Sequence, residues 1–289
     1  MKDIVYILLP VHNRRDTTRK FVDCLSAQTH QNFHLLLIDD GSSDGTERMV
    51  RNIITNLSVL KGNGRWWWAG SLQQGINWLK KNECSPDAII LFVNDDVTFE
   101  PFFLENAILF LRDKDKTLLL AQLFDCVSSE IKESGVNADL NNLTFKIASN
   151  PDEINCLSTR GLFLRFNDLI KIGGFHPYLI PQYGSDYEFT IRAYKKGFDL
   201  CTTKEVAVCP DKEQTGYRSI DANNIFEFLR KYFSKRSVGN PIYQSLFIIL
   251  SAANESKPRL ILSVWITALK IIIKQILMSL KGLNHKHHI

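Results

Sequence analysis

Little in this 289-residue sequence marks a specialised class of protein. Six cysteines (Cys24, Cys84, Cys126, Cys156, Cys201 and Cys209) are scattered without a C-x-x-C pair, so a disulfide scaffold is excluded and a reducing compartment is expected. There is no internal repeat or low-complexity tract. With 45% hydrophobic residues, 15 glycines and 9 prolines, the composition excludes disordered and collagen-like chains. Charge of one sign is scarce as well: 35 Lys and Arg against 31 Asp and Glu leave +4, too mild for a nucleic-acid partner. Met1 opens onto Lys2 and Asp3 instead of an apolar leader, which makes a cytoplasmic location the expectation.

The small total charge hides a division. Ten of the basic residues and a single acid, Glu255, fall between Phe228 and the end, so a stretch at +9 follows a body at −5. Parts so different in charge are suited to different partners. The change of character near Asp221 divides the chain into a body over residues 1–220 and a basic, amphipathic helical region over 221–289.

Ile4–Leu9 is a continuous apolar run ended by Pro10, the pattern of a strand buried on both faces of a parallel sheet. The pattern then predicts a helix from about Thr17 to Gln28, a strand over Phe33–Ile38, and a helix capped by Ser43 or Asp44 with Met49, Val50, Ile53 and Ile54 on one face. A short strand at Val59–Leu60, a helix over Leu72–Leu79 and a buried strand over Ala88–Val93 follow. Leu118–Phe124, Cys156–Phe166 and Val206–Cys209 read as further strands and Asp186–Lys196 as a helix, while residues 125–155 carry no assignable pattern. Strands alternating with helices predict an α/β fold: a Rossmann-like, mostly parallel central sheet flanked by helices, with a helical C-terminal extension. Polar clusters at residues 10–14, 39–46 and 94–96 each follow a strand. Ligands of open parallel sheets bind outside the carboxyl ends of the strands, so one crevice is expected to hold all three.

Asn94-Asp95-Asp96 is the sharpest local signal. Two carboxylates at a sheet mouth repel each other and lose hydration unless a cation sits beside them. Oxygen ligands of this kind suit Mg²⁺ or Mn²⁺, which also bridge substrate phosphates. A solvated loop before Pro101 is the other reading. The run Asp39-Asp40-Gly41-Ser42-Ser43-Asp44-Gly45 leaves the same choice, because Asp and Gly are ordinary turn residues.

Taken together and in order, Ile7-Leu8-Leu9-Pro10-Val11-His12-Asn13-Arg14, Leu37-Ile38-Asp39-Asp40-Gly41-Ser42-Ser43-Asp44-Gly45-Thr46, Phe92-Val93-Asn94-Asp95-Asp96, Gly173-Gly174-Phe175 and Asp186-Tyr187-Glu188 with Arg192 and Gly197 resemble the family 2 glycosyltransferases. The resemblance covers roughly residues 4–210 and implies the A-type nucleotide-sugar transferase fold. It also implies an inverting transfer from a UDP- or dTDP-sugar to a saccharide acceptor, assisted by Mg²⁺ or Mn²⁺. Pro10 and His12 fall at the nucleotide, His12 where relatives often put an aromatic residue against the base. Asp40, with Asp39 beside it, takes the place of the acid that accepts the pyrimidine N3–H. Asp95 falls among the nucleotide-sugar contacts, the metal on Asp96, and the general base on Asp186, with Glu188 as the fallback. A surface loop remains the other reading for His12, and a helix cap for Asp186. Trp68-Ala69-Gly70 and Gly75 match a glycine-rich stretch that passes the ribose, and Arg65 is placed to reach the diphosphate. Trp66 and Trp67 add bulk there, and each Trp is as readily core as ligand.

Two departures from the family pattern bear on mechanism. Ser185 replaces the first acid of the usual Glu-Asp pair. Val208-Cys209-Pro210-Asp211 stands where many relatives carry a His that helps hold metal or diphosphate, so either Cys209 or Asp211 substitutes or the metal has fewer protein ligands.

The basic region adds Leu260–Leu280, where Lys270 and Lys274 lie four residues apart on one side. Spanning a bilayer would bury both, at about 2.5–3.5 kcal/mol each. Lying in the interface leaves them in water, where anionic headgroups reward each by about 1 kcal/mol. Peripheral contact with the inner face of the cytoplasmic membrane is therefore expected. Together with the resemblance it implies a lipid-linked surface-polysaccharide acceptor, of O-antigen or capsule type. A helix packed on the body or at a dimer interface is the other reading. Two rival functions fit less well. A sugar-1-phosphate nucleotidyltransferase generally needs glycine directly after its first strand, and Pro10–Arg14 has none. A non-catalytic membrane-surface module would have no reason to keep Asp39, Asp40, Asp95, Asp96 and Asp186 together.

Overall fold

The computed structural model describes residues 3–125, 128, 130–210, 219–280 and 287–288. Strands β1 (Val5–Val11), β2 (Phe33–Asp39), β3 (Leu57–Lys61) and β4 (Ile89–Phe92) alternate with helices α1 (Arg15–Ser26), α2 (Thr46–Arg51) and α3 (Trp67–Lys81). These four strands are parallel neighbours in the order β3-β2-β1-β4. The chain continues through β5 (Val97–Thr98), α4 (Phe103–Leu111), β6 (Thr117–Phe124) and β7 (Ile131–Glu133) to a hairpin of β8 (Val136–Asp139) and β9 (Thr144–Ile147). Then come β10 (Leu162–Arg165), α5 (Phe166–Ile172), α6 (Ser185–Lys195) and β11 (Asp199–Pro210), followed by α7 (Ile225–Tyr232), α8 (Pro241–Ser251) and α9 (Lys257–Leu280).

The nine-stranded sheet runs β3-β2-β1-β4-β10-β6-β11-β5, with β7 added beside β6. β10 is antiparallel to both neighbours, whereas β11 is parallel to β6. Period-two alternation splits the apolar runs between two layers. Val5, Ile7, Leu9 and Val11 pack with Phe21, Val22 and Leu25 of α1, and Leu8 and Ile38 pack with Leu72 and Ile76 of α3. Gly75 is what lets α3 approach: a Cβ there would lie 2.6 Å from Leu8 and 2.9 Å from Ile38. Each fully buried Leu, Ile or Phe contributes roughly 1.5–3 kcal/mol to this packing.

Several boundaries differ from the sequence pattern. The run Cys156–Phe166 becomes a ladder strand only at Leu162–Arg165, because Gly161 turns at φ 95° and gives its N–H to Phe92 O. Residues 125–155, without a readable pattern, hold β7 and the β8–β9 hairpin. The second helix begins at Thr46, after Gly45 at φ 84°, with Asp44 Oδ1 accepting from Thr46 N; Ile53 and Ile54 lie beyond its end. Val206–Cys209 is the end of a longer strand with a register shift between Thr203 and Ala207.

The region after residue 220 is seated on the body through α8. Phe247 lies over Gly184 at the start of α6 and joins Phe145 and Tyr187 in a small apolar cluster, and Lys195 Nζ donates to Ser251 O. α9 packs along α8, with Trp265 Nε1 donating to Ser245 Oγ at 3.1 Å. By length and composition α9 can cross a membrane, its mean hydropathy reaching 1.9, but Leu260, Ala268 and Gln275 are buried against the rest of the chain. Its opposite face exposes Leu262, Trp265, Ile266, Leu269, Ile273, Ile276 and Leu277.

Candidate active site

Three strand ends build the crevice. β1 leads into Pro10-Val11-His12-Asn13-Arg14, β2 into Asp39-Asp40, and β4 into Asn94-Asp95-Asp96. The parallel register that aligns Val11 with Asp39 and Leu8 with Phe92 brings the polar residues after each strand to one edge.

Asp95 and Asp96 are 5% and 7% exposed. Arg14, quoted above only as part of the first motif, enters between them. Its Nε lies 3.0 Å from Asp95 Oδ1 and its Nη2 lies 3.7 Å from Asp96 Oδ2. Thr18 Oγ1 donates to Asp95 Oδ2 at 2.7 Å. These ion contacts lack hydrogen-bond alignment: Arg14 Nε, Arg14 Nη2 and Asp96 Oδ1 are all buried without a hydrogen-bond partner. Burial lifts the Asp95 carboxyl to about 6, against the lowering effect of Arg14 and Thr18, and Asp96 adds to the rise. A buried orphan acceptor beside an orphan donor is what a cation and an anionic group together would satisfy. The oxygen-only donor set therefore fits Mg²⁺ or Mn²⁺.

The Asp39-Asp40 pair is arranged differently. Asp39 Oδ1 accepts from Ser42 N at 2.7 Å, closing the turn. Asp40 Oδ1 accepts from Gly64 N (2.8 Å) and Arg65 N (3.2 Å), and Oδ2 from Trp66 N (2.8 Å) and Trp67 N (3.2 Å). Four amides fill the roughly four acceptor positions of a carboxylate. The start of α3 has no side-chain cap of its own, so Asp40 supplies the cap from across the crevice. Only glycine fits at position 62, because a Cβ there would clash with the Asp40 carboxylate. Asp40 thus does not present a free acceptor to a base N–H, contrary to the place the motif gave it. His12 stays exposed beside it, with Nδ1 2.7 Å from Asp40 O.

Trp68 is half-buried and bridges two walls: its N–H meets Gln182 Oε1 at 3.0 Å and its Nε1 donates to Thr159 Oγ1 at 3.1 Å. Its indole is therefore anchored in the wall. Arg65 is exposed. Asp186 opens α6 and accepts its neighbour's Tyr187 N–H at 2.9 Å. Burial pushes its carboxyl up to about 6; the Tyr187 bond and Arg160 pull down, and Glu133 pushes up. Ser185 Oγ donates to Gln182 O at 2.7 Å, bracing the turn that sets Asp186. Glu188, the fallback base, is 3% exposed with Arg192 Nε and Nη2 at 2.8 and 2.9 Å on its two oxygens. Arg192 also donates to Ile172 O and Gly174 O, so this pair braces the Gly173-Gly174-Phe175 turn and is not available to take a proton.

Cys209 pairs with Thr98, and Pro210 with Val97, directly after Asp96; Asp211 lies outside the described residues. Thr18, Glu133 and Arg160 carry no local signal in the sequence, since Asp95 and Asp186, on which they act, lie 26 to 77 positions away; Arg14 stands in the first motif itself.

The model of the family described as "Glycosyl transferase family 2" matches residues 6–168. The chain belongs to glycosyl transferase family 2. Glycosyltransferase AglE of Haloferax volcanii is 25% identical over 214 residues, covering 71% of this chain and 66% of AglE. Among solved structures, GalNAc-T7 with UDP, GalNAc and Mn²⁺ matches at a TM-score of 0.60 and 12% identity, over 73% of this chain but only 43% of its own. TarS 1–349 of S. aureus with UDP-GlcNAc gives 0.57 at 16% identity, covering 85% and 70%. The mannosyltransferase PcManGT of Pyrobaculum calidifontis with GDP-Man and Mn²⁺ gives 0.54 at 15%, covering 92% and 75%. The sheet and helices of this family member thus follow the A-type glycosyltransferase fold.

Proposed function

We propose that this family 2 protein transfers a sugar, with inversion, from a nucleoside diphosphate donor to a hydroxyl of a saccharide acceptor. The observation that carries the reading is the buried Asp95–Asp96 pair past β4, with one carboxylate oxygen unpartnered and the Arg14 guanidinium beside it. Asp96 would hold Mg²⁺ or Mn²⁺, with Asp95 next to it. A cation held there would supply Lewis-acid stabilisation of the charge on the departing diphosphate. Among the described residues no group of three or more His, Cys, Asp or Glu could hold a metal, so Asp96 and Asp95 are the side chains that would hold it.

Arg14 turns its two unsatisfied nitrogens to the same charge, and Arg65 adds another cation from the loop. Asp186 takes the proton from the attacking hydroxyl. Lifted to about 6, it is ionised at neutral pH and a better proton acceptor than an exposed Asp. Pro10 and His12 border the nucleotide, and Trp68 walls the sugar side. A UDP- or dTDP-sugar is the donor we favour, its base N3–H meeting Asp39, whose carboxylate accepts one backbone amide where that of Asp40 accepts four.

The acceptor is proposed to be a lipid-linked surface-polysaccharide intermediate, met at the cytoplasmic face of a membrane. Stepping 100° per residue puts Lys270 and Lys274 along one flank of the apolar face that α9 exposes, a design suited to an anionic leaflet. Incubating UDP-, dTDP- and GDP-sugars with Mn²⁺ and acceptor tests the reading. Release of nucleoside diphosphate with sugar transfer is expected. Release of pyrophosphate would make the protein a nucleotidyltransferase, and no turnover with any donor would leave a binding module. Flotation with anionic vesicles tests the membrane arm.

A further inference from the structure

A diphosphate needs cations; at the crevice the charge of Arg14 is offset by Asp95 and Asp96, Arg160 faces Glu133 at 3.8 Å, and Arg65 stands exposed on its loop. Two further cations come from the region after the sheet. Lys235 Nζ lies 5.8 Å and Arg236 Cζ 5.9 Å from the centroid of the Trp67 ring. Neither makes an ion pair among the described residues. Two adjacent positive charges converging on one indole repel each other, and a ring face repays only about 0.5–2 kcal/mol. An anion between them would settle the balance.

The platform is held firmly. Trp67 adopts φ 59°, left-handed backbone that a bulky residue rarely takes, and its N–H is fixed on Asp40 Oδ2. The basic side is fixed too: Ser234 Oγ donates to Lys231 O, and Asn240 Nδ2 donates to Ser234 O. Strain that the surroundings maintain, next to a crevice, points to use.

We infer that Lys235 and Arg236 bind the diphosphate of the donor across the face of Trp67, so that the region after β11 completes a site the family match, ending at residue 168, does not reach. The inference rests on the reading of the crevice as a nucleotide-sugar site. An anionic lipid phosphate has the same chemistry, and separate arms of the test distinguish the two.

The test is calorimetric titration at low salt of the 289-residue chain and its Lys235→Gln/Arg236→Gln variant with UDP, uridine and pyrophosphate, plus flotation on vesicles containing phosphatidylglycerol. Lys235 is half-buried and Arg236 exposed, so the variant is expected to keep its melting temperature. Affinity for UDP and pyrophosphate should fall about tenfold with uridine unchanged. Unchanged UDP and pyrophosphate affinity would overturn the inference, as would an equal loss of uridine binding. Loss confined to vesicles would assign the two cations to lipid and overturn it as well. If the unaltered chain takes pyrophosphate but no nucleoside diphosphate, the donor reading fails and the pyrophosphate arm alone decides the anion site.

Discussion

Asp39-Asp40 closes β2 and Asp95-Asp96 lies past β4, the two strands that flank β1, yet the oxygens of the two pairs meet opposite surroundings. Asp40 holds four backbone amides and Asp39 one, so the first pair is spent on the turn and on the start of α3. The second pair has one hydroxyl, one loosely aligned guanidinium and an oxygen with no partner. The same dipeptide is thus a structural cap in one place and a set of incompletely satisfied acceptors in the other. What separates them is the supply of N–H groups: the loop 62–67 folds back over Asp40, and nothing comparable reaches Asp96 in the described residues.

The comparison breaks most visibly through the unsatisfied carboxylates. Asp96→Asn is expected to lower transfer by about 10³-fold or more, since charge stabilisation of this kind is worth several kcal/mol, while leaving the urea midpoint unchanged. Sugar-transfer rates beside denaturation curves check it. Asp186→Asn should cost about 10²–10⁴ in turnover with donor affinity retained, read from product formation and from titration of the donor.

Asp40→Ala tests the other half. Removing a charged acceptor that satisfies four amides is expected to cost about 2–4 kcal/mol of stability, measured by urea unfolding with no nucleotide present. A variant that loses donor binding at unchanged stability would show Asp40 to be a ligand and not a cap.

The smallest effects concern pH. Turnover should fall as pH drops through about 6, where Asp186 takes up a proton. Its carboxyl titrates above its unfolded value, so the folded protein binds this proton more tightly and stability from this group declines as pH rises from about 4 to about 6. At pH 7.5 the ionised group costs the fold at most about 3 kcal/mol. Asp186→Asn is therefore expected to melt higher than the unaltered protein at pH 7.5, by a margin that vanishes near pH 4.

Much of the architecture was legible in the sequence because buried parallel strands write themselves as continuous apolar runs. β1, β2, β4 and β6 all lie where such runs stand. β10 was overdrawn and the β8–β9 hairpin missed, since short strands with exposed faces and a glycine turn leave no such run. At the site, residue types located the crevice but not the duties within it. Asp39-Asp40 and Asp95-Asp96 look alike until the loop 62–67 is placed over one of them, and Glu188 looks like a base until Arg192, one turn on, is seen closing on it. Lys235 and Arg236 were read only as part of a basic region, because their meeting with Trp67 is a contact between residues far apart in the chain.

The most direct measurement is titration of UDP into the unaltered protein, Asp96→Asn and Asp40→Asn, each with and without Mn²⁺. Mn²⁺ should tighten binding in the unaltered protein and in Asp40→Asn but have no effect in Asp96→Asn. Metal-dependent binding that survives in Asp96→Asn, or that disappears only in Asp40→Asn, would contradict the division of labour between the two pairs.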